Sequence, residues 1–311
     1  MENVLEIFFP IFYVSRLVGL APFNFTKNQI SPSSKWLYYS YIFTFLNLLL
    51  QILKQKAFII HFNAEEKLKN FVWIFGSITL PFNSIANSII ILQNSEVFKD
   101  IKLLNQILQE NRKEVKWKDI KEIKLISYVV FNICIILAIV APLTQHMCSS
   151  STKYFTLEET LIQSLSWVTR TFTTIALLGQ FITYSLAVRF AYKILNSAIY
   201  SIKITISKRN ARVPNANRYW SLIIRGLMIN DYKLKDLIEK VNNIFGLFNM
   251  FIALNVFVEF NYVIVFENIY LKDDECQRFL SYYWTFHSGV VLFGCLAAPV
   301  LLKRTVSECS A

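Results

Sequence analysis

The sequence predicts an all-α, polytopic transmembrane helix bundle, on three observations. Hydrophobic residues make up 54% of the 311 and charged residues only 17%, against roughly 25% charged in an ordinary soluble domain. The apolar residues gather into runs of about twenty, the length a helix needs to cross a bilayer. The charges gather between the runs, and the cations favour alternate gaps.

The junction around Ile244 sets the direction of the whole chain. Between Ala191 and Asn243 there are ten Lys or Arg against three acids, and from Ile244 to Val258 there is no charge at all. Basic segments stay on the cytoplasmic side while the apolar run crosses the hydrocarbon.

In chain order, Leu5 to Phe23 is short and interrupted by Pro10, Arg16 and Pro22, so it predicts an interfacial helix. The first span is 36–53, opened by Trp36, Tyr38 and Tyr39 at interface depth. The second is 71–93, which Pro81 should kink. Segment 94–124 carries eight basic and six acidic residues. Val97, Ile101, Leu104 and Leu108 recur there at helical spacing, which predicts an amphipathic cytoplasmic helix.

The third span is 125–143, ended by Pro142. The fourth is 161–188, with Arg170 inside it, and Tyr192, Leu195, Ile199, Ile202 and Ile206 carry its apolar stripe into the cytoplasm. After a break at Asn210 to Asn217, segment 191–243 continues as a second amphipathic helix, on which Asp236 and Lys240 can pair. The fifth span is 244–270, with Glu259. A loop at Leu271 to Arg278 precedes the sixth span, 279–302.

Counting cations tests this order. The gaps assigned to the inside hold 23 Lys and Arg against 12 acids, and those assigned outside hold 7 against 7. The full net charge of +11 therefore lies on one side, and both ends of the chain are expected in the cytoplasm. A nucleic-acid binder would keep its cations on one folded, water-exposed face instead. No Gly-rich phosphate loop, nucleophile elbow or metal-ligand spacing occurs, so neither an enzyme nor a cofactor is expected. His61, His146 and His287 are too far apart in sequence to suggest a metal site.

The run Phe12-Tyr13-Val14-Ser15-Arg16-Leu17-Val18-Gly19-Leu20-Ala21-Pro22-Phe23 resembles the N-terminal signature of the insect gustatory receptors, in which an aromatic-apolar patch precedes a Gly-Leu-x-Pro turn. Tyr219-Trp220, Asn230-Asp231-Tyr232 and Val241-Asn242-Asn243-Ile244-Phe245-Gly246 resemble that family's cytoplasmic helix and its Asn-x-x-Phe-Gly entry into a span. The resemblance implies a subunit of a tetrameric, ligand-gated, non-selective cation channel. Such channels lie in the plasma membrane of taste neurons, are opened by small-molecule tastants and are related to insect odorant receptors. It also implies a seventh, pore-lining span with a Thr-Tyr and Gln-Phe signature. This sequence stops at Ala311, so the expectation is a chain truncated before its pore helix. An odorant-receptor subunit and a membrane transporter are the alternative readings.

Arg170 is the residue that most needs a partner, because a lone Arg at mid-membrane depth costs about 2.5–3.5 kcal/mol on insertion scales. Counted from the outer ends of their spans, Arg170 and Glu259 both lie roughly 14–17 Å deep. They are expected to face one polar cavity between the fourth and fifth spans, or else to form a structural pair joining those helices. Trp167, Thr171 and Thr174 in the outer half of the fourth span, with Tyr283, Trp284 and His287 in that of the sixth, are candidates to line the same cavity or to serve as ordinary packing. Aromatic walls with a few polar groups suit small organic ligands. Of the five cysteines, Cys148 and Cys276 fall in outer loops, where a disulfide is open to them.

Overall fold

Among the described elements, one helix packs against every other long helix and against the N-terminal one. The computed structural model describes residues 5–25, 30–61, 156–208, 216–270 and 275–310, with scattered helical residues between Leu104 and Leu143. Helix α1 (Leu5–Leu17) leads into a two-stranded antiparallel ribbon, β1 (Phe23–Phe25) and β2 (Ile30–Pro32), with Asn24 opposite Ser31. Helices α2 (Ser34–His61), α3 (Leu157–Lys208), α4 (Ala216–Tyr270) and α5 (Glu275–Ser310) follow. Helix α3 packs against α1, α2, α4 and α5, and α4 packs against α5.

The start of α3 is written locally. Thr156 and Glu159 form a capping box. The Glu159 backbone N–H donates to Thr156 Oγ1 (3.3 Å), and the Thr156 N–H donates back to Glu159 Oε2 (2.9 Å). Glu158 and Glu159 also place negative charge at the positive end of the helix dipole. With 52 residues, α3 is about 78 Å long, more than twice the ~30 Å hydrocarbon core of a bilayer. It therefore runs past the apolar stretch 161–188 without a break. The stripe continues through Tyr192 and Leu195, which are buried, while Ile199 is exposed.

Helix α4 is likewise unbroken from Ala216, so the amphipathic segment and the run 244–270 are one rod. Asp231–Lys235 and Asp236–Lys240 pair on its wet side, each at 2.8 Å. Each exposed pair is worth only roughly 0.2–0.5 kcal/mol. Helix α5 starts at Glu275, so the loop expected at 271–278 is shorter and Cys276 and Arg278 are already helical.

Helix α2 contains the run 36–53 and leaves Tyr38, Ile42, Phe45, Leu46, Leu49 and Ile52 exposed. Such an apolar face is stable against lipid and costly against water. Two described stretches, Ser34–Lys54 and Leu157–Thr205, are long and apolar enough to cross a membrane. Run 71–93 lies outside the described residues. The described members of 125–143 are helical, as are those of 94–124, of which Leu104 and Ile107 are buried in the core.

The N-terminal element departs from the expected interfacial helix. Phe8, Ile11, Phe12 and Ser15 form an i, i+3, i+4, i+7 stripe and are all buried. Phe8 and Phe12 set their rings 5.4 and 6.4 Å from that of Tyr184 on α3. The apolar face that would enter lipid is spent on the bundle instead. The contact is close because Gly179 offers no side chain, and a Cβ there would overlap Ile11 Cδ1.

The Gly-Leu-x-Pro turn has a clear physical reason. The Leu20 N–H donates to the Ser15 carbonyl (2.6 Å) and the Gly19 N–H to that of Arg16 (3.1 Å), a Schellman closure of α1. Gly19 holds the required positive φ of 71°. A Cβ at Gly19 would also lie 3.1 Å from Ser40 Cα on α2. Gly19→Ala is expected to cost at least about 1–2 kcal/mol, the left-handed penalty alone. It should appear as a lower melting temperature of the detergent-purified protein, and an unchanged melt would contradict the closure.

Arg16 fastens the same corner. Its guanidinium lies 3.9 Å over the Trp36 ring and donates to the Phe23 carbonyl at 2.7 Å. Tyr39 donates to the Leu17 carbonyl at 2.6 Å. Burial lowers the Arg16 pKa from its ordinary value, against an opposing effect of the nearby Tyr13.

Candidate ligand-binding site

The stretch of the bundle around Thr171 is positioned by contacts further along α3, towards its C-terminus. Phe181 stacks on Phe245 at 5.2 Å, and Tyr184 lies 6.0 Å from the same ring, so α4 passes α3 at that level. The short connections 209–215 and 271–274 make α4 antiparallel to both neighbours, so α3 and α5 run in the same direction. Gly294 lets α5 approach α3 closely, since a Cβ there would sit 2.9 Å from Leu178 Cδ1.

From that contact, two helical turns towards the N-terminus of α3 reach Thr171, and the same seven-residue step on α5 reaches His287. Both helices use this face for packing, because Ile175, Leu178, Val291 and Cys295 are buried between the two polar residues and the level of the contact or just beyond it. Thr171 is 1% exposed, His287 6% and Ser288 2%. Among the described residues, Thr171 Oγ1 has no hydrogen-bond partner. Tyr283 stacks on His287 at 6.3 Å and 27°. Thr174 and Arg170 are half-buried on the same stretch of α3.

Counted along the helices from the Phe181–Phe245 contact, Arg170 stands about 17 Å and Glu259 about 21 Å away. The two backbones share a level to within one helical turn. The Glu259, Trp167 and Trp284 side chains lie outside the described residues, as do those of Cys148 and Cys276.

Two polar features escaped the sequence reading. Asn47 and Gln51 face α3 across α2: Thr169 Oγ1 donates to Asn47 Oδ1 at 3.0 Å, and Gln51 Nε2 donates to the Ser166 carbonyl at 3.1 Å. Their i, i+4 spacing within an uncharged run was the available signal. Gln180 is fully buried on α3, and among the described residues neither of its amide atoms has a hydrogen-bond partner. Nothing in its neighbourhood in sequence marked it.

Hydroxyl, imidazole and phenol groups set among apolar side chains can select an uncharged or weakly polar small molecule by hydrogen bonding and stacking. Among the described residues, no group of three His, Cys, Asp or Glu side chains could hold a metal ion.

A model of the 7tm chemosensory receptor family matches residues 8–309. The chain belongs to the 7tm chemosensory receptor family. As a chemosensory receptor of that kind it is a membrane protein, and its family is one of receptors rather than enzymes. No curated protein matches it. The family match begins inside α1 and so takes in the docked N-terminal element with the long helices.

Proposed function

We propose that this chemosensory receptor is a gustatory-type subunit of a ligand-gated, non-selective cation channel in the plasma membrane of sensory neurons. It assembles as a homo- or hetero-tetramer with other receptor subunits, with both termini in the cytoplasm, and small-molecule tastants are its ligands. The ligand sits in the outer half of the bundle, among Arg170, Thr171, Thr174, Tyr283 and His287, with Trp167, Glu259 and Trp284 on the same levels.

The observation that carries this reading is the buried pairing of levels on α3 and α5. Thr171 and His287 lie two turns outward of the Leu178–Gly294 contact, on helix faces that are otherwise apolar. A buried hydroxyl normally finds a hydrogen-bond partner, and a ligand hydroxyl, carbonyl or amine can supply one.

Voltage-clamp recording from cells expressing the receptor, alone and with other subunits, against a panel of uncharged small molecules tests this. The expected result is a ligand-evoked cation current. Thr171→Val should raise the half-maximal ligand concentration about tenfold, the size of one hydrogen bond of roughly 1.4 kcal/mol, with surface expression unchanged. Arg170→Leu should abolish the response. Substrate flux without current would overturn the channel in favour of a transporter, and an unchanged dose response in both variants would overturn the site.

A further inference from the structure

Gln180 on α3 is fully buried, and among the described residues neither its amide oxygen nor its amide nitrogen has a hydrogen-bond partner. Both atoms are shut off from solvent. Around the helix Gln180 stands about 100° from Gly179 and about 40° from Tyr184, and lies between them. Those two residues receive α1: Ile11 closes on Gly179, and the rings of Phe8 and Phe12 lie against that of Tyr184. Ala176 and Ala187, also buried, flank Gln180 on the Gly179 side. The carboxamide is therefore enclosed where α1 comes closest to α3, with its hydrogen bonds unmade.

A buried amide left unpaired works against the arrangement that buries it. In water that penalty would be outweighed by the cost of exposing Phe8, Ile11 and Phe12. A bilayer changes the balance, because lipid tails are as apolar as the core of the bundle, and the three side chains lose only their packing when they move into lipid. Helix α1 suits that second position as well. It is an aromatic-apolar stretch interrupted by Pro10, with Arg16 near its end, the pattern of an interfacial helix. Its other side already exposes Tyr13 and Leu17. The end of α1 is fastened independently of the seat, by the Gly19 turn and by Tyr39 donating to the Leu17 carbonyl, so the helix has a pivot.

We propose that α1 is a two-position strap that exchanges between its seat on α3 and the bilayer surface, with Gln180 as the side chain that keeps the seat from locking. Release opens the Gln180 amide to water and to lipid ester groups, which supply the hydrogen bonds that the docked state denies it. The strap acts at a junction of the bundle. Gly179 adjoins Leu178, against which Gly294 of α5 packs, and Tyr184 lies beside Phe245 of α4, so the position of α1 bears on the level where α3 meets both later helices.

The test is the rate at which N-ethylmaleimide labels Ser15→Cys in the full chain, reconstituted in phosphatidylcholine nanodiscs. Ser15 is buried on the docked stripe of α1 and the substitution is nearly isosteric. Labelling of the parent chain corrects for its five native cysteines. Slow but measurable labelling is expected, and Gln180→Leu should slow it about tenfold, the equivalent of about 1.4 kcal/mol. Gln180→Met, which fills nearly the same volume, should act alike, and both variants should melt at a higher temperature than the parent. Tyr13→Cys, on the exposed side of α1, should label rapidly in every background. Unchanged or faster labelling of Ser15→Cys in both apolar variants would overturn the strap. A lower melting temperature or loss of folding in both would show that Gln180 supports the seat, and would overturn it equally; if only one misfolds, the labelling rate of the other decides.

Discussion

Tyr184→Ala should lower the melting temperature of the purified receptor by roughly 10 °C, the equivalent of about 3–5 kcal/mol in a chain of this size. The ring is fully buried, and three others surround it, those of Phe8 at 5.4 Å, Phe245 at 6.0 Å and Phe12 at 6.4 Å. It thus joins α1, α3 and α4 at one point, and its removal leaves a void that none of the three helices can fill by a small rotation. Within a membrane the loss comes from packing rather than from the hydrophobic effect, because lipid tails are as apolar as the core. Tyr184→Phe keeps the ring and should cost no more than about 1.5 kcal/mol. Equal damage from the two substitutions, followed by thermal melts in detergent, would show that the ring cluster is not what holds α1.

Gly179→Leu should expel α1 from its seat. Even a Cβ at this position overlaps Ile11 Cδ1, and Ile11 Cγ1 would lie only 2.9 Å away. Overpacking of this kind costs typically 1–3 kcal/mol, and it falls on the one buried face of α1, since Tyr13 and Leu17 on its other side are exposed. A cysteine placed at Phe12 should be slow to react with maleimide in the parent chain and fast in Gly179→Leu. The double change Gly179→Ala with Ile11→Ala should recover most of the protection lost in Gly179→Ala alone, because the second substitution vacates the space that the first one fills. Equal maleimide rates throughout would contradict the docked arrangement.

The apolar runs were legible because composition and charge mark them directly. The long rods α3 and α4 were legible in part: the apolar stripe beyond Val188 announced the extension of α3, and the stripe through Leu234, Leu237, Ile238, Val241, Ile244 and Phe245 ran across the start of 244–270, where α4 continues unbroken. The seat of α1 was not legible. An interrupted, Pro-containing stretch reads as an interfacial helix on its own sequence, and its true partner is a glycine on α3, Gly179, far along the chain from Ile11. The ribbon β1–β2 was missed because three-residue strands carry no periodicity that a window can detect. For the candidate site, counting residues along helices gave levels, which is why Thr171, Tyr283 and His287 were named. Counting does not give the face a residue occupies, so Ser288 and the Asn47–Thr169 link, both matters of helix rotation, were not found.

Everything functional here depends on which side of the bilayer the cations occupy. A short epitope inserted between Lys208 and Arg218, probed by antibody on intact and then on permeabilised cells, tests that most directly. The epitope is expected to be silent on intact cells and stained after permeabilisation. Staining on intact cells would put the basic segment outside, turn the proposed ligand cavity towards the cytoplasm, and contradict the account.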